Sequence, residues 1–207
     1  MILSSEAVPA LVSPSHFGNI PPMQAATQND FVAVEDYLAC EESSDVRHEY
    51  LGGLVYAMAG ETTVHNQISQ NLLINIRQHL KGGPCRTFIS DIRVNFKIRN
   101  DEYYYYPDII VTCDQRDTHE RFVRFPKLII EVASPRTERI DRREKFFAYT
   151  SIESLEEYVL VPQKGHEFTV FRKVNNWREE KLSAQDSELR LESLQLSIST
   201  AAIYEGI

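Results

Sequence analysis

The reading of this chain is decided by Tyr103-Tyr104-Tyr105-Tyr106-Pro107-Asp108-Ile109-Ile110-Val111-Thr112 and, after a polar segment, by Lys127-Leu128-Ile129-Ile130-Glu131-Val132-Ala133-Ser134-Pro135. The apolar runs read as two neighbouring buried strands, Tyr103 to Thr112 and Lys127 to Ala133. Each carries one carboxylate, Asp108 behind Pro107 and Glu131 near the end of the second run. An ionised side chain in a buried strand is costly to desolvate unless a cation or hydrogen bonds compensate. With Lys145 close behind in sequence, the pair points to a divalent-metal site. The plainer alternative is that both carboxylates sit at strand ends and bind backbone amides or an arginine.

Working outward, Asp114 to Arg124 reads as a charged loop, either solvated or a lip over a site. Ser134-Pro135 closes the second strand, and a helix from about Ile140 to Thr150 follows, carrying Lys145 one turn after Asp141. A surface pair between those two is the ordinary explanation of Lys145; presentation of its amine to a scissile phosphate is the functional one. Upstream, Arg47 to Leu51 and Leu54 to Met58 flank Gly52-Gly53, a hairpin pattern. Thr62 or Thr63 can cap a helix running to about Leu80, whose Val64, Ile68, Leu72, Ile76 and Leu80 draw one apolar stripe. Arg86 to Ile89 and Ile92 to Ile98 read as strands, as do Glu157 to Val161, Phe168 to Lys173 and Trp177 to Leu182. The chain then ends in alternating leucines between Leu189 and Leu196.

At 207 residues with 43% apolar content, the chain can bury one sizeable core. The expected organisation is a flexible leader over residues 1–30, broken by Pro9, Pro14, Pro21 and Pro22, and a single domain over 31–207 that opens with a helix from Phe31 to Cys40. A formal charge of −8 argues against non-specific coating of nucleic acid, which depends on many Lys and Arg, but allows a nuclease with a local basic rim. Cys40, Cys85 and Cys113 are far apart, without zinc spacing, and read as reduced thiols of a cytoplasmic protein. No apolar run is long enough to span a membrane.

Other residues have two readings each. Glu49, at the start of the hairpin, could join Asp108 and Glu131 as a metal ligand or pair with a neighbouring cation. His65, in the first turn of the long helix, could reach a phosphate or a carboxylate, or be an ordinary interface histidine. Asp91 beside Ser90 is equally plain turn chemistry. Tyr103 to Tyr106 could stack bases, although residues of a strand alternate faces and packing accounts for half of them.

Pro107-Asp108, then Glu131-Val132-Ala133-Ser134-Pro135, then Asp141 with Lys145 and Tyr149, resemble the PD-(D/E)xK nuclease superfamily, and more closely the Uma family of restriction endonucleases within it. The likeness runs from about Phe31 to the C-terminus and takes in Arg47, Glu49, Gly53, His65 and Glu157-Tyr158. It implies a restriction-endonuclease-like α/β/α core with a central mixed sheet and an endodeoxyribonuclease that uses Mg²⁺ or Mn²⁺ to hydrolyse phosphodiester bonds of DNA; a homodimer is the assembly expected beside it. Asp108 would be the first acidic ligand and Glu131 the second, with Glu49 and His65 assisting. The superfamily's lysine belongs two residues after the glutamate, where this chain has Ala133; Lys145 would replace it from the next helix. The competing expectation is a non-catalytic nucleic-acid- or protein-binding module that keeps the nuclease fold without the chemistry.

Overall fold

A computed structural model describes residues 31–133, 141–164, 167–183 and 188–207, with only the backbone described at 141 and 142. The expected leader, the Ser134-Pro135 strand end and the start of the Ile140 helix fall outside these residues. The chain divides into two compact units, Met1–Ala59 and Gly60–Ile207.

In the first unit, helix α1 (Val34–Ser43) precedes a hairpin of β1 (His48–Leu51) and β2 (Leu54–Ala57), with Tyr50 opposite Val55. Both turn residues, Gly52 and Gly53, have positive φ, 55° and 104°, the backbone that two-residue hairpins need to match strand twist. A Cβ on Gly53 would also collide with the Phe31 ring. The helix starts three residues later than its pattern suggested because Val32 N–H instead donates to Gly53 O at 2.8 Å. Buried Tyr37 donates to His48 O at 2.7 Å and stacks on Tyr50 with ring centroids 4.9 Å apart. Glu41 accepts from His48 N–H and lies 3.0 Å from His48 Nδ1.

The second unit is built on a six-stranded mixed sheet. Its strands are β3 (Arg86–Ile89), β6 (Ile109–Thr112), β8 (Leu128–Ala133), β9 (Glu157–Pro162), β10 (Glu167–Arg172) and β11 (Glu179–Ser183), in the spatial order β11-β10-β9-β8-β6-β3. Only β8 and β9 among these pair in parallel, and such a pairing needs a crossover; the segment holding Lys145 and Tyr149 supplies it. Side chains alternate across the sheet. Ile109, Val111, Leu128, Ile130, Val132, Val159 and Val161 face helix α2 (Thr63–His79) and pack on its Ile68, Leu72 and Ile76, so the stripe read at four-residue spacing is the core-facing one. On the opposite face, Tyr158 meets Tyr149 at 5.3 Å and Phe171 meets Phe146 at 4.5 Å between centroids. Both aromatics come from the crossover, in a π-helical turn Asp141–Lys145 continued by a short helix α3 (Phe146–Tyr149).

A smaller sheet joins β5 (Asp101–Tyr105) and β7 (Phe122–Val123) to opposite edges of β4 (Arg93–Ile98). The run Tyr103 to Thr112, which reads as one strand, is therefore two strands in two sheets. Pro107 accounts for the break: it has no N–H to give a ladder and restricts its predecessor, so the chain leaves one sheet at Tyr105 and enters the other at Ile109. The final leucines form a hairpin, β12 (Glu188–Leu191) with β13 (Leu196–Ser199), followed by helix α4 (Thr200–Ile203). The strand expected from Trp177 begins only at Glu179, after Asn176 and Trp177 at φ 54° and 58°.

One further expectation is corrected. Cys85 and Cys113 are joined as a disulfide, and only Cys40 is a free thiol, buried. Separation in sequence concealed this; the antiparallel register that sets Arg86 opposite Thr112 runs on to bring Cys85 against Cys113, with Cα atoms 4.0 Å apart. The charged segment Asp114 to Arg124 is not merely solvated. Its Asp117 is buried and accepts from Arg124 N–H at 2.6 Å, Phe125 N–H at 3.2 Å and the Thr112 hydroxyl at 2.5 Å. No helix among the described residues is long and apolar enough to cross a membrane.

Candidate active site

Register brings the two carboxylates together. β6 and β8 are antiparallel with Ile109 opposite Ile130, so Asp108, one residue before β6, stands across from Glu131. Asp108 N–H points at Glu131 Oε2 at 3.4 Å, and Asp108 Oδ2 accepts from Val132 N–H at 2.7 Å. Asp108 is thus clamped to the end of β8 twice, its N–H on the Glu131 carboxylate and its own carboxylate on the Val132 N–H.

Two helices complete the cluster from opposite faces of the sheet. On α2, the Thr62 hydroxyl oxygen accepts from His65 N–H at 3.1 Å and donates to Gln163 Oε1 at 3.0 Å. This cap fixes the first turn and aims the ring, placing His65 Nε2 3.0 Å from Asp108 Oδ2 and 3.9 Å from Glu61 Oε2. A carboxylate only accepts, so the proton sits on Nε2 in that contact. Thr62→Ala is expected to destabilise the chain by about 1 kcal/mol, the ordinary cost of a lost cap, read as a lower urea midpoint.

From the other face, Lys145 Nζ donates to Glu131 Oε1 at 3.0 Å and Tyr149 O–H donates to the same oxygen at 2.9 Å. The two donors are four residues apart across the junction of the π turn and α3, hence on one side of the segment. Lys145 also lies over the Tyr105 ring, 5.7 Å from its centroid, and Tyr105 meets Tyr149 edge to face. Exposure separates the two acids: Glu131 keeps 5% of its side-chain surface and Asp108 16%, so Asp108 is the one a ligand reaches first.

Of the residues singled out from the sequence, Asp108, Glu131, Lys145 and His65 converge. Glu49 lies on β1 in the first unit, outside the unit that carries this cluster. Asp91 belongs to the turn whose Ser90 N–H donates to Asp108 O at 3.3 Å. The tyrosine run divides as strand alternation requires: Tyr103 and Tyr105 stack with Phe96, while Tyr104 lies edge-on to Phe122. The Asp141 side chain lies outside the described residues, so its pair with Lys145 falls there too; the Lys145 head bonds to Glu131. The direct bond from Tyr149 to Glu131 was not read from the sequence; the four-residue spacing from Lys145 was the available signal.

Among the described residues no group of three or more His, Cys, Asp or Glu side chains stands ready to hold an ion. The donors present nevertheless suit a hard cation: two carboxylates facing each other across a strand pair, beside backbone carbonyls, are enough for Mg²⁺, which keeps several of its waters. A cavity of about 440 Å³ bounded by Glu156, Glu157, Arg172 and Glu192 lies elsewhere, at the far end of β9. Glu157 is opposite Leu128, whereas Glu131 is opposite Leu160, and that cavity surrounds a structural ion pair.

The chain is 38% identical over 175 residues to the uncharacterized protein slr1290 of Synechocystis sp., covering 84% of this chain and 91% of that protein. It is 28% identical to the uncharacterized protein sll1609 of the same organism, covering 84% and 99%. In fold it is similar to a crystal structure from Anabaena variabilis described as "a putative nuclease belonging to DUF820", with TM-score 0.68, 18% identity, and 84% and 97% of the two chains covered. Residues 34–202 match the Uma2 family model, "Putative restriction endonuclease", and span Asp108, Glu131, Lys145 and His65; the chain belongs to that family.

Proposed function

We propose that the chain is a metal-dependent endonuclease that hydrolyses phosphodiester bonds of DNA at the Asp108–Glu131–Lys145 cluster. The observation that carries this reading is the 3.0 Å contact of Lys145 with Glu131, which sets a cationic donor beside two opposed carboxylates although position 133 is alanine. Asp108 and Glu131 would hold Mg²⁺ or Mn²⁺. When bound, such an ion supplies Lewis-acid charge to the phosphoryl oxygens.

The chain's own groups do the rest. Lys145 brings a positive charge to where the attacking water and the transferring phosphoryl group meet, and offsets negative charge that grows in the transition state. Glu131 and Tyr149 hold the lysine and the carboxylate in one geometry, so little reorganisation is needed on binding. His65 donates to Asp108 Oδ2 and, with Val132 N–H, orients that carboxylate.

Asp108→Asn is the direct test. The amide oxygen can still accept from Val132 N–H, so the fold is retained, while the negative charge is lost. Cleavage of supercoiled DNA in Mg²⁺ or Mn²⁺ is expected to fall by about two orders of magnitude or more; equal nicking by wild type and variant would refute the reading. A binding-only module is the second reading, because Asp108 Oδ2 and Glu131 Oε1 each already accept two internal hydrogen bonds. Calorimetry separates the two: Mn²⁺ binding heat that disappears in Asp108→Asn supports the metal site, and no heat in the wild type supports the module.

A further inference from the structure

The loop between β6 and β8 is more built than a surface connection requires. Its base is closed by Cys85–Cys113, its middle is held where the Arg86 guanidinium donates to Asp117 O, and its return is locked by the Asp117 carboxylate on two backbone N–H groups. Arg116 is turned back on Asp114 through bonds of 3.0 and 2.7 Å, so those charges cancel. Besides Gln115, Arg116 and Thr118, this frame shows His119, Glu120, Arg121 and Arg124 to solvent. His119 is stacked on Phe122 at 3.6 Å, and its Nδ1 accepts from Arg121 N–H at 3.1 Å. Arg124 lies over the other partner of that stack, 4.9 Å from the Phe122 centroid, with Nε donating to Asn95 Oδ1 at 3.0 Å. The Arg124 head is thus held against the Phe122 ring, in a chain whose net charge is −8.

His119 is held below the ordinary histidine range, first by partial burial and then by the nearby Arg124 and Arg93 cations, with exposed Glu120 opposing them. The loop is also placed near the carboxylates. Ser90 N–H donates to Asp108 O, and three residues on, Arg93 N–H donates to Arg121 O at 3.2 Å. Three residues of chain reach at most about 10 Å, so the Arg121 backbone lies within roughly 17 Å of that of Asp108. That is about half the roughly 34 Å helical repeat of a DNA duplex, which carries one charge per ~1.7 Å of axis.

We infer that His119, Arg121 and Arg124 form a phosphate-binding rim that grips the DNA backbone beside the bond to be cut. The rim rests on the nuclease reading, but its role is to hold and register the duplex and not to react. Phosphate contacts of this kind position a duplex without reading its sequence. Arg124, fixed through Nε on Asn95, offers its terminal nitrogens to one phosphate, and Arg121 takes a neighbouring one. This also reconciles an acidic chain with a polyanionic substrate, since the positive field needs to be only local.

The test uses the full chain and a fluorescein-labelled 24-base-pair DNA duplex, with Ca²⁺ replacing Mg²⁺ to prevent turnover, and follows anisotropy from 50 to 200 mM KCl. Removing two phosphate contacts in R121A/R124A is expected to weaken binding about tenfold and to reduce the log K against log salt slope by about 1.8, with R121K/R124K restoring most of the slope. Should the double variant fail to fold by circular dichroism, R121A alone is expected to change the slope by about 0.9. Identical slopes in wild type and R121A/R124A would overturn the rim, as would a wild type that does not bind the duplex or a loss that lysine cannot restore. The two proposals fail separately. A wild type that binds with a steep salt slope yet never cleaves in Mg²⁺ removes the catalytic reading and keeps the rim; cleavage with unchanged slopes does the reverse.

Discussion

Replacing Glu131 with alanine is expected to lower the free energy of unfolding by about 3 to 5 kcal/mol and to remove cleavage together with it. Glu131 and Lys145 are both buried, 3.0 Å apart, and Tyr149 O–H donates to the same carboxylate oxygen. Truncating one member of a buried pair leaves an ammonium and a hydroxyl in a place chosen for their acceptor, and the penalty is the desolvation of what remains. Glu131→Gln keeps an acceptor for Tyr149 and a similar volume, so it is expected to cost less than the alanine while still losing the charge. Replacing both partners, as Glu131→Leu with Lys145→Met, is expected to recover most of the lost stability and none of the activity, because two apolar residues of like size leave no ion without water. Urea unfolding of the four proteins reads this directly. An alanine variant within about 1 kcal/mol of wild type would mean that the pair is not buried as described.

Arg172→Ala is expected to destabilise by a similar amount, about 3 to 5 kcal/mol, without a direct effect on the site. Arg172 Nε donates to Glu157 Oε1 at 2.9 Å, one terminal nitrogen donates to Glu180 and the other to Arg190 O at 2.8 Å. Glu157, 1% exposed, also accepts from Ser193 N–H at 3.1 Å and the Ser193 hydroxyl at 2.7 Å. One guanidinium therefore links β9, β11 and β12, and its loss leaves a buried carboxylate with neutral donors only. Arg172→Lys is expected to recover little, since a single ammonium cannot make three divergent bonds. A urea midpoint for Arg172→Ala close to wild type would contradict this account. Normal DNA cleavage by whatever fraction stays folded would support the separation of this cluster from the carboxylates at the other end of the sheet.

The elements legible in the sequence were those governed by local rules. The four-residue apolar period placed α2, the Gly52-Gly53 turn placed the hairpin, and Thr62 capped the helix as its side chain suggests. Misreadings occurred where a distant contact overrode a local signal. Tyr103 to Thr112 looked continuous because apolar content does not reveal which sheet a strand joins; Pro107 was the only local sign of the break. The Cys85–Cys113 pair depends on the register of β3 with β6, and the burial of Asp117 on three donors that the loop itself brings round.

By itself the sequence determined that this chain folds as an α/β protein and which two carboxylates are out of place in apolar strands, because burial and periodicity are written locally. The same residues carry the resemblance to the Uma family, and the match of residues 34–202 to the family model shows the membership. Only the tertiary structure decided that Asp108 and Glu131 face each other, since that depends on the register of β6 against β8. It likewise decided that Lys145 reaches Glu131 from the crossover. A side chain fourteen residues away in sequence arrives at 3.0 Å only because a parallel strand pair obliges the chain to return across the face that Glu131 occupies.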